Sequence, residues 1–269
     1  MHENDWIKVV FDELQERKDE HSNKIEINTM RLKVWLEKIY AFLNKTEETE
    51  QKTIEKLTKQ YEELCVFIYK TSPGADVPTI KNAAKRIIQK LPYFKKQMYH
   101  EAKRAYKEDP SAKELSEVLL SYPSLKATLF YRIAHELYIQ DIKLLARIIT
   151  EISHEQTGID IHPGAVIGDG FFIDHGTGVV IGETCVIGNN VTLYHGVTIG
   201  VLQFQRDEQG ELVRGTKRHP TIEDNVTIYA EAMVLGGATI VGEGSIIGSN
   251  AMVTKSIPPN SKIIHKANV

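Results

Sequence analysis

The sequence is poor in cysteine and has little net charge. It has two cysteines in 269 residues, Cys65 and Cys185, and they lie far apart in segments of different predicted structure. That distance argues against a disulfide framework and indicates a reducing compartment. Neither cysteine has the neighbours of a metal site. A formal net charge of −3 provides no basic surface for nucleic acid or for an anionic membrane.

Long apolar runs are also absent. No stretch of about 18 apolar residues occurs, which excludes an ordinary membrane-spanning helix. The N-terminal segment lacks the basic start and the apolar core of a signal peptide. We therefore expect a cytoplasmic protein that binds neither membrane nor nucleic acid. The composition, with 42% hydrophobic and 26% charged residues, is that of a globular protein rather than a disordered chain.

The first 157 residues have the period of amphipathic helices. Apolar residues recur every three or four positions, as in the two runs Leu32, Trp35, Leu36, Ile39, Tyr40, Leu43 and Leu125, Leu129, Ile133, Leu137. Prolines at Pro73, Pro78, Pro110 and Pro123 interrupt the pattern, because proline lacks an N–H donor and restricts the residue before it. This half is predicted to be all helical, with roughly six or seven helices.

Residues 158–262 follow a different period. Aliphatic residues recur at a spacing of six, and a small residue often stands at the fourth position after them, as at Ala165, Thr177 and Ala238. Such hexads predict a parallel β-helix of triangular coils, each of which buries its inner face against its neighbours. The aliphatic positions are Ile161, Ile167, Ile173, Ile181, Ile187, Leu193, Ile199, Ile222, Ile228, Val234, Val241, Ile247 and Val253.

Two faults interrupt the repeat. Ile173 and Ile181 are eight positions apart, so residues 174–178 contain two more residues than a coil needs. Ile199 and Ile222 are 23 positions apart, which expels a loop at residues 201–217. Both faults contain a histidine. Because interruptions of a solenoid cost stability, we expect the functional residues at these two places.

Several motifs resemble the serine acetyltransferase family in sequence, order and spacing. They are DIHP at 160–163, IDHGTGVVIGET at 173–184, HGVTIG at 195–200, RHPTI at 218–222 and IPP at 257–259. Weaker similarity extends upstream through EDPS at 108–111 and YRIAH at 131–135, so about residues 100–260 are covered. The resemblance implies an α+β protein: an all-helical N-terminal domain at 1–157, a left-handed β-helix at 158–262 and a short tail at 263–269. Within the helical domain, 71–157 is similar to the family and 1–70 is an extension.

The resemblance also implies a reaction. The family moves an acetyl group from acetyl-CoA, a co-substrate, to the hydroxyl of L-serine, the first step of cysteine biosynthesis, without a metal. A serine hydroxyl is a weak nucleophile that needs a base to take its proton, and histidine suits this role near neutral pH. By similarity, His175 is the general base that permits direct attack, and Asp160 orients its ring.

Binding residues follow from the same resemblance. Asp109 and Asp174 match the pair that meets the amino group of serine, while Arg218 and His219 match the residues that meet its carboxylate. A zwitterion suits a site with charges of both signs. Asp109 could instead be the N-cap of a helix that follows Pro110. The positions that hold pantetheine, in a groove between adjacent β-helices, correspond to Gly200, Ala230 and Ser249.

Other histidines are interpreted differently. His135 and His162 are expected to be packed structural residues. His195 is expected to line the cleft and is left outside the assigned set.

Assembly and regulation are inferred by the same resemblance. Family members form homotrimers with active sites between subunits, and trimers pair into hexamers through the helical domains. The stripe containing Trp35 and Tyr40 is the feature here that motivates such pairing. Cysteine resembles serine and can occupy the same polar contacts, so feedback inhibition by cysteine is expected. The chain ends soon after Pro259, so we expect weak or no complex with O-acetylserine sulfhydrylase.

One departure from the family concerns loop 201–217. It is longer and bulkier than the compact glycine-rich loop of the family, and it is expected to change the affinity for the acyl donor.

Three alternatives stay open at this point. A related acetyltransferase could act on a sugar or on another hydroxy amino acid, although Arg218 with Asp174 suits a free amino acid better. A β-helix metalloenzyme with carbonic anhydrase activity would need zinc held by histidines across a subunit boundary, chosen from His162, His175, His195 and His219. A scaffold that only binds an effector would release no thiol from acetyl-CoA.

Overall fold

A computed structural model of the protein describes residues 27–45 and 49–264. It consists of a helical unit followed by a left-handed parallel β-helix, which confirms the predicted fold class. The predictions for the start of the N-terminal extension, residues 1–26, and for the tail from residue 265 lie outside the described residues. No helix within the described ranges has both the length and the apolar character needed to cross a bilayer.

The helical unit contains six helices among the described residues, within the predicted number. Polar side chains begin two of them: Asn28 accepts a hydrogen bond from the Arg31 N–H, and Asp76 accepts one from the Thr79 N–H. The last helix ends on Gly158, whose φ of 71° is the left-handed conformation usual after a helix. The helices are α1 (Thr29–Asn44), α2 (Glu50–Thr71), α3 (Val77–Glu108), α4 (Leu115–Ser121), α5 (Pro123–Tyr138) and α6 (Lys143–Thr157).

One hydrophobic core holds these helices together. Leu32, Leu64, Ile87, Phe130 and Ile149 belong to it and come from α1, α2, α3, α5 and α6. Helices α1 and α2, which include most of the described part of the predicted extension, therefore share a core with the rest of the unit. The domain limits assigned from the sequence stay a prediction.

The stripe on α1 has a different role from the one predicted. Trp35 is fully buried, its ring packs edge-to-face with the Phe67 ring, and its indole N–H donates to the Gln60 carbonyl at 3.0 Å. The Tyr40 hydroxyl donates to the Leu119 carbonyl at 2.7 Å. Trp35 therefore packs inside its own chain and offers no surface to a second trimer, while the pairing of trimers itself stays a prediction.

The β-helix contains fourteen short strands among the described residues. Most pair in parallel with the strand three positions further along the chain, which gives three faces. Face A contains β1 (Asp160–Ile161), β4 (Val180–Ile181), β7 (Thr198–Gly200), β10 (Met233–Leu235) and β13 (Met252–Val253). Face B contains β2 (Val166–Ile167), β5 (Val186–Ile187), β8 (Thr221–Ile222) and β11 (Ile240–Val241). Face C contains β3 (Phe172–Ile173), β6 (Thr192–Leu193), β9 (Thr227–Ile228), β12 (Ile246–Ile247) and β14 (Lys262–Ile263).

The second residue of most strands points inward, so the predicted aliphatic positions form three stacked columns. Every one of them is at most 9% exposed. Two of the small residues at the fourth position, Thr177 and Ala238, are exposed, whereas Val179 and Thr239 are buried. Each insertion in the repeat moves the inward position along the chain by the length of that insertion.

The faults in the repeat appear at corners of the β-helix. The corner between faces C and A, called corner CA, consists of residues 174–179, 194–197, 229–232 and 248–251 in successive coils. Its first turn has six residues, whereas the other three have four. The corner between faces A and B, called corner AB, includes residues 182–185 and the long excursion from Val201 to Pro220. This excursion folds back as a hairpin with Arg206 opposite Leu212.

The helical unit packs against the first coils of the β-helix. The Arg104 guanidinium on α3 donates to the Gly170 carbonyl and to the Thr192 hydroxyl, the latter at 2.6 Å. The Tyr131 hydroxyl on α5 donates to the Ala165 carbonyl at 2.6 Å. These contacts fix the end of α3, and thereby Asp109, beside the β-helix.

Substitution of an inward column residue should destabilise the protein. We expect Ile187→Ala, at a position 2% exposed, to lower the free energy of unfolding by about 2–5 kcal/mol through a cavity that the stacked coils cannot close. Val186→Ala, at the adjacent 40% exposed position, should cost about 0.5 kcal/mol or less. Urea unfolding measures both, and equal losses would contradict the assigned inward and outward faces.

Candidate active site

His175 lies in the enlarged turn of corner CA. Its side chain is exposed, outside the coil, and its backbone adopts a left-handed φ of 57°. The turn is kept tight by Gly176, where a Cβ atom would lie 2.5 Å from the Cδ1 atom of Ile159. The Asp174 N–H donates to the Leu193 carbonyl at 2.8 Å. The insertion therefore projects Asp174 and His175 from the surface of the β-helix.

A second imidazole accompanies the first. His195 stands at the same corner in the next coil and is half-buried. The two ring centroids are 5.8 Å apart, and the ring planes meet at 67° in an edge-to-face contact. Stacking of successive coils thus places two imidazoles next to each other.

Asp109 supplies a carboxylate to this corner. It follows α3 as its C-cap, so the alternative that it starts the next helix is wrong: α4 begins only at Leu115. Its Oδ1 atom accepts from the Ser111 N–H and hydroxyl, and its Oδ2 atom accepts from the Tyr122 hydroxyl. The Ser111 hydroxyl is the main reason that the pKa of Asp109 lies below its usual value, and nearby His175 lowers it further. Asp109 is therefore a firmly charged anion beside His175.

Two tyrosines complete the corner CA cluster and were missed by sequence reasoning. The rings of Tyr194 and Tyr229 stack with centroids 4.9 Å apart and planes at 15°. Burial raises the pKa of Tyr194, as do the negative charges of Asp174 and Asp109 that lie close to it. Their position in the repeat could have identified them. Each is the first residue of the corner CA turn in a later coil, as Asp174 is in the first coil.

Arg218 and His219 lie elsewhere, at corner AB. The Arg218 guanidinium forms an ion pair with Glu183. Thr184 organises both residues: its hydroxyl oxygen accepts the backbone N–H groups of Arg218 at 3.0 Å and His219 at 3.1 Å. Glu183 and Thr184 had no assigned role, although they belong to the Gly-Glu-Thr run that carries part of the family resemblance.

His219 is a neutral hydrogen-bond donor in this arrangement. The side chain is buried, and burial, assisted by the charge of Arg218, lowers its pKa to about 4. Its Nδ1 atom accepts the Thr184 N–H at 3.1 Å, so the proton of the neutral ring resides on Nε2. An Nε2–H donor next to a guanidinium is suited to bind a carboxylate.

Asp160 does not contact the residue it was predicted to orient. It points outward from β1 on face A, and its Oδ1 atom lies 3.9 Å from the Arg147 guanidinium. No hydrogen bond joins Asp160 to His175 within the described chain. The remaining histidines have local roles: His162 Nδ1 accepts the Gly164 N–H at 3.0 Å, and His135 Nδ1 contacts the Pro163 carbonyl at 2.9 Å.

The residues predicted to hold the coenzyme also divide between the edges of face A. Ala230 and Ser249 belong to successive coils of corner CA, where the Asn250 N–H donates to the Ala230 carbonyl at 3.0 Å. Gly200 ends β7 at the opposite edge. A cavity of about 330 Å³ lies near that edge, between the hairpin and the turn that follows β10; its lining includes Leu202, Phe204, Lys217, Arg218 and Gly236.

Two groups of candidate residues therefore lie at opposite edges of face A. Asp174 and His175 belong to corner CA and Asp109 lies beside it, while corner AB contains Arg218 and His219. Among residues 27–45 and 49–264, no three His, Cys, Asp or Glu side chains are arranged to hold a metal ion. The four histidines of the zinc alternative belong to the two separate corners.

The pKa of His219 predicts a pH effect on stability. The folded protein binds a proton at this ring only near pH 4, whereas the unfolded chain does so near pH 6.5, so stability falls as the pH drops through that window. His219→Gln should show a shallower fall in the free energy of unfolding between these values. Exposed His100→Gln is the control and should keep the wild-type slope. Identical slopes in wild type and His219→Gln would contradict the burial of a neutral ring.

Comparison with known proteins supplies an independent line of information. The plasmid-encoded serine acetyltransferase of Synechococcus elongatus is 52% identical over 175 residues, which cover 65% of this chain and 54% of that protein. The match thus spans little more than half of that relative's length. The serine acetyltransferase of Staphylococcus aureus strain Mu50 is 46% identical over 169 residues, 63% of this chain and 75% of that protein. A scan of protein-family models finds none that matches the chain.

A solved structure extends the similarity over most of the chain. The serine acetyltransferase 1 of Entamoeba histolytica, determined in complex with L-cysteine, superposes with a TM-score of 0.78 and is 38% identical. The superposition covers 88% of this chain and 87% of that one. Sequence and structure agree that the chain belongs to the serine acetyltransferase family, whose members are acyltransferases.

Proposed function

We propose that the protein transfers the acetyl group of acetyl-CoA to the hydroxyl of L-serine, which gives O-acetylserine for cysteine biosynthesis in the cytoplasm. The observation that carries this proposal is the enlarged turn of corner CA. It presents an exposed imidazole, His175, beside the carboxylates of Asp109 and Asp174. A base next to an anionic pair suits an acceptor that has both a hydroxyl and an ammonium group.

Two subunits are needed to surround one serine. Asp109 and Asp174 would bind the ammonium group, and Arg218 and His219 would bind the carboxylate, yet these pairs lie at opposite edges of face A. A serine molecule is too short to span a face of the β-helix. In a closed homotrimer, corner CA of one subunit meets corner AB of the next, and both pairs then face one substrate. Whether trimers pair further into hexamers stays a prediction.

The chemistry is general-base catalysis with direct attack. His175 takes the proton of the serine hydroxyl as the oxygen bonds to the thioester carbonyl carbon. The tetrahedral intermediate then collapses, the carbon–sulfur bond breaks, and the leaving thiolate receives the proton from His175. Asp160 would orient the His175 ring only in the assembled, substrate-bound site, since catalytic hydrogen bonds are often long or absent before substrate binds.

Acetyl-CoA would lie along the groove between neighbouring β-helices. Ala230 and Ser249 of one subunit and Gly200 of the other would contact pantetheine, in keeping with their positions at opposite edges of face A. The hairpin of loop 201–217 presents Leu202 and Phe204, which are 52% and 58% exposed. These apolar side chains would cover the coenzyme beside the cavity.

Cysteine is a candidate inhibitor of the same site. It has the ammonium and carboxylate groups of serine and would meet the same four side chains. The Entamoeba histolytica structure, in complex with L-cysteine, supports this proposal. Competition between cysteine and serine is the expected pattern.

Release of free thiol from acetyl-CoA tests the reaction. Wild type should release thiol with L-serine, and less with homoserine, threonine or no acceptor. His175→Ala should lower turnover by about 10²–10⁴-fold, because the hydroxyl loses its base. His100→Ala removes an exposed histidine of α3 and should leave the rate unchanged. No acceptor-dependent release by wild type, or full activity of His175→Ala, would refute the proposal.

Mixed oligomers test the shared site. His175→Ala and Arg218→Ala should each be nearly inactive, but subunits assembled together from equal amounts should regain about a quarter of wild-type activity. That fraction is the share of interfaces that receive an intact His175 from one subunit and an intact Arg218 from the other. Activity no greater than that of the separate variants would show that both residues serve one site within a single subunit.

A further inference from the structure

Tyr122 is a side chain beside the candidate site that has no part in the proposed chemistry. It forms the junction of two helices, as the C-cap of α4 and the N-cap of α5, and its backbone N–H donates to the Val118 carbonyl at 3.2 Å. Pro123 follows directly and restricts the backbone of Tyr122. The half-buried ring packs against the core of the helical unit. Because backbone and ring are both held, the hydroxyl group has a fixed position.

This hydroxyl is a permanent hydrogen-bond donor to Asp109. It donates to the Oδ2 atom of that carboxylate. Burial, together with the hydrogen bond to Asp109, raises the pKa of Tyr122 to about 12. The phenol therefore keeps its proton at neutral pH. The contact joins the segment after α3, which contains Asp109, to the rigid junction of α4 and α5.

The two carboxylate oxygens of Asp109 differ in what they accept. Oδ1 accepts the Ser111 N–H at 2.8 Å and the Ser111 hydroxyl at 2.6 Å. Within the described chain, Oδ2 accepts only the Tyr122 hydroxyl. A carboxylate oxygen has two lone-pair directions, so Oδ1 is filled and Oδ2 keeps one direction free. An ammonium group that approaches Asp109 thus meets Oδ2, the atom that the Tyr122 hydroxyl holds.

We propose that Tyr122 is a positioning residue of the ammonium subsite, whose hydroxyl turns the Asp109 carboxylate so that the free lone pair of Oδ2 faces the ammonium group of L-serine. The inference rests on the proposed function, in which Asp109 binds that group. Rotation of an aspartate about its Cβ–Cγ bond is soft, so Ser111 alone would hold one oxygen and leave the other poorly directed. Tyr122 transfers no proton and touches no reacting atom.

The charge of the substrate determines which kinetic constant responds. The ammonium group has the same charge before and during acetyl transfer, so a contact to it stabilises the ground state and the transition state equally. Tyr122→Phe keeps the ring but lacks the hydroxyl. It should raise KM for L-serine at least about fivefold, with kcat changed less than about threefold and KM for acetyl-CoA unchanged. The inhibition constant of cysteine, which has the same ammonium group, should rise by the same factor.

A matched control and a double variant separate positioning from general loosening of the fold. The Tyr93 hydroxyl also donates to a carboxylate, that of Asp169 at 3.3 Å, in the turn between β2 and β3. Tyr93→Phe should therefore keep the wild-type constants. In an Asp109→Ala background, Tyr122→Phe should raise KM for serine less than about twofold further, because Tyr122 acts through the absent carboxylate.

Each outcome supports or overturns the inference. If wild type shows no serine-dependent thiol release, the proposed function fails and this inference fails with it. If wild type is active, the positioning role is wrong where Tyr122→Phe keeps its KM for serine, lowers kcat alone, or has its full effect in Asp109→Ala. Thermal unfolding and particle mass establish that each variant is folded and assembled. Tyr122→Met also lacks the hydroxyl and replaces Tyr122→Phe in the test should that variant fail to fold.

Discussion

The inward aliphatic columns of the β-helix are the constraint on which the rest of the structure depends. Each coil buries Ile, Val or Leu side chains directly over those of the previous coil, and a slip by one residue would turn them outward. Register is therefore fixed in every coil. Because register is fixed, corner residues of successive coils also stack, and this places His175 beside His195 and Tyr194 beside Tyr229.

The same constraint separates the charges of the site. Face A has a carboxylate-rich edge at corner CA and an edge with Arg218 and neutral His219 at corner AB. Strands of two or three residues keep these edges apart, and no local rearrangement can join them while the columns remain stacked. Under the proposed function, the edges of two neighbouring subunits would supply one site together. Activity would then depend on assembly.

The helical unit brings Asp109 to the candidate site. Asp109 follows the long helix α3, and contacts such as that of Arg104 with Gly170 anchor this helix to the first coils. The lowered pKa of Asp109 arises mainly from its own turn, where the Ser111 hydroxyl donates to the carboxylate. The helical unit thus delivers an anion to a corner that the β-helix alone would leave with fewer acids.

The sequence predicted the repeat well because its period reports directly on burial. The hexad located the inward columns, and the interval between Ile173 and Ile181 located the turn with His175. The repeat cannot be counted through an insertion, as the exposed Thr177 and Ala238 show, since an inserted residue moves the inward position. The stripe with Trp35 and Tyr40 shows a second limit, because an apolar stripe does not reveal whether its partner is the same chain or another.

Contacts between distant residues were the hardest to predict. The family resemblance grouped Asp160 with His175. The repeat indicates whether a side chain points inward or outward but not which neighbour an outward side chain meets, and the Asp160 carboxylate lies 3.9 Å from the Arg147 guanidinium. Glu183 lies in a motif that carried the resemblance and Tyr194 directly precedes another, but their partners follow only from the stacking of coils. Aligning the corner residues of successive coils would have placed Tyr194 and Tyr229 next to each other and beside Asp174.

A structure of the assembled protein with L-serine bound would show whether two subunits together form one serine site. The account predicts the serine hydroxyl within hydrogen-bond distance of His175 in one subunit, the ammonium group between Asp109 and Asp174 of that subunit, and the carboxylate at Arg218 of the neighbouring subunit. A serine bound wholly by one chain, or with its hydroxyl remote from His175, would contradict it.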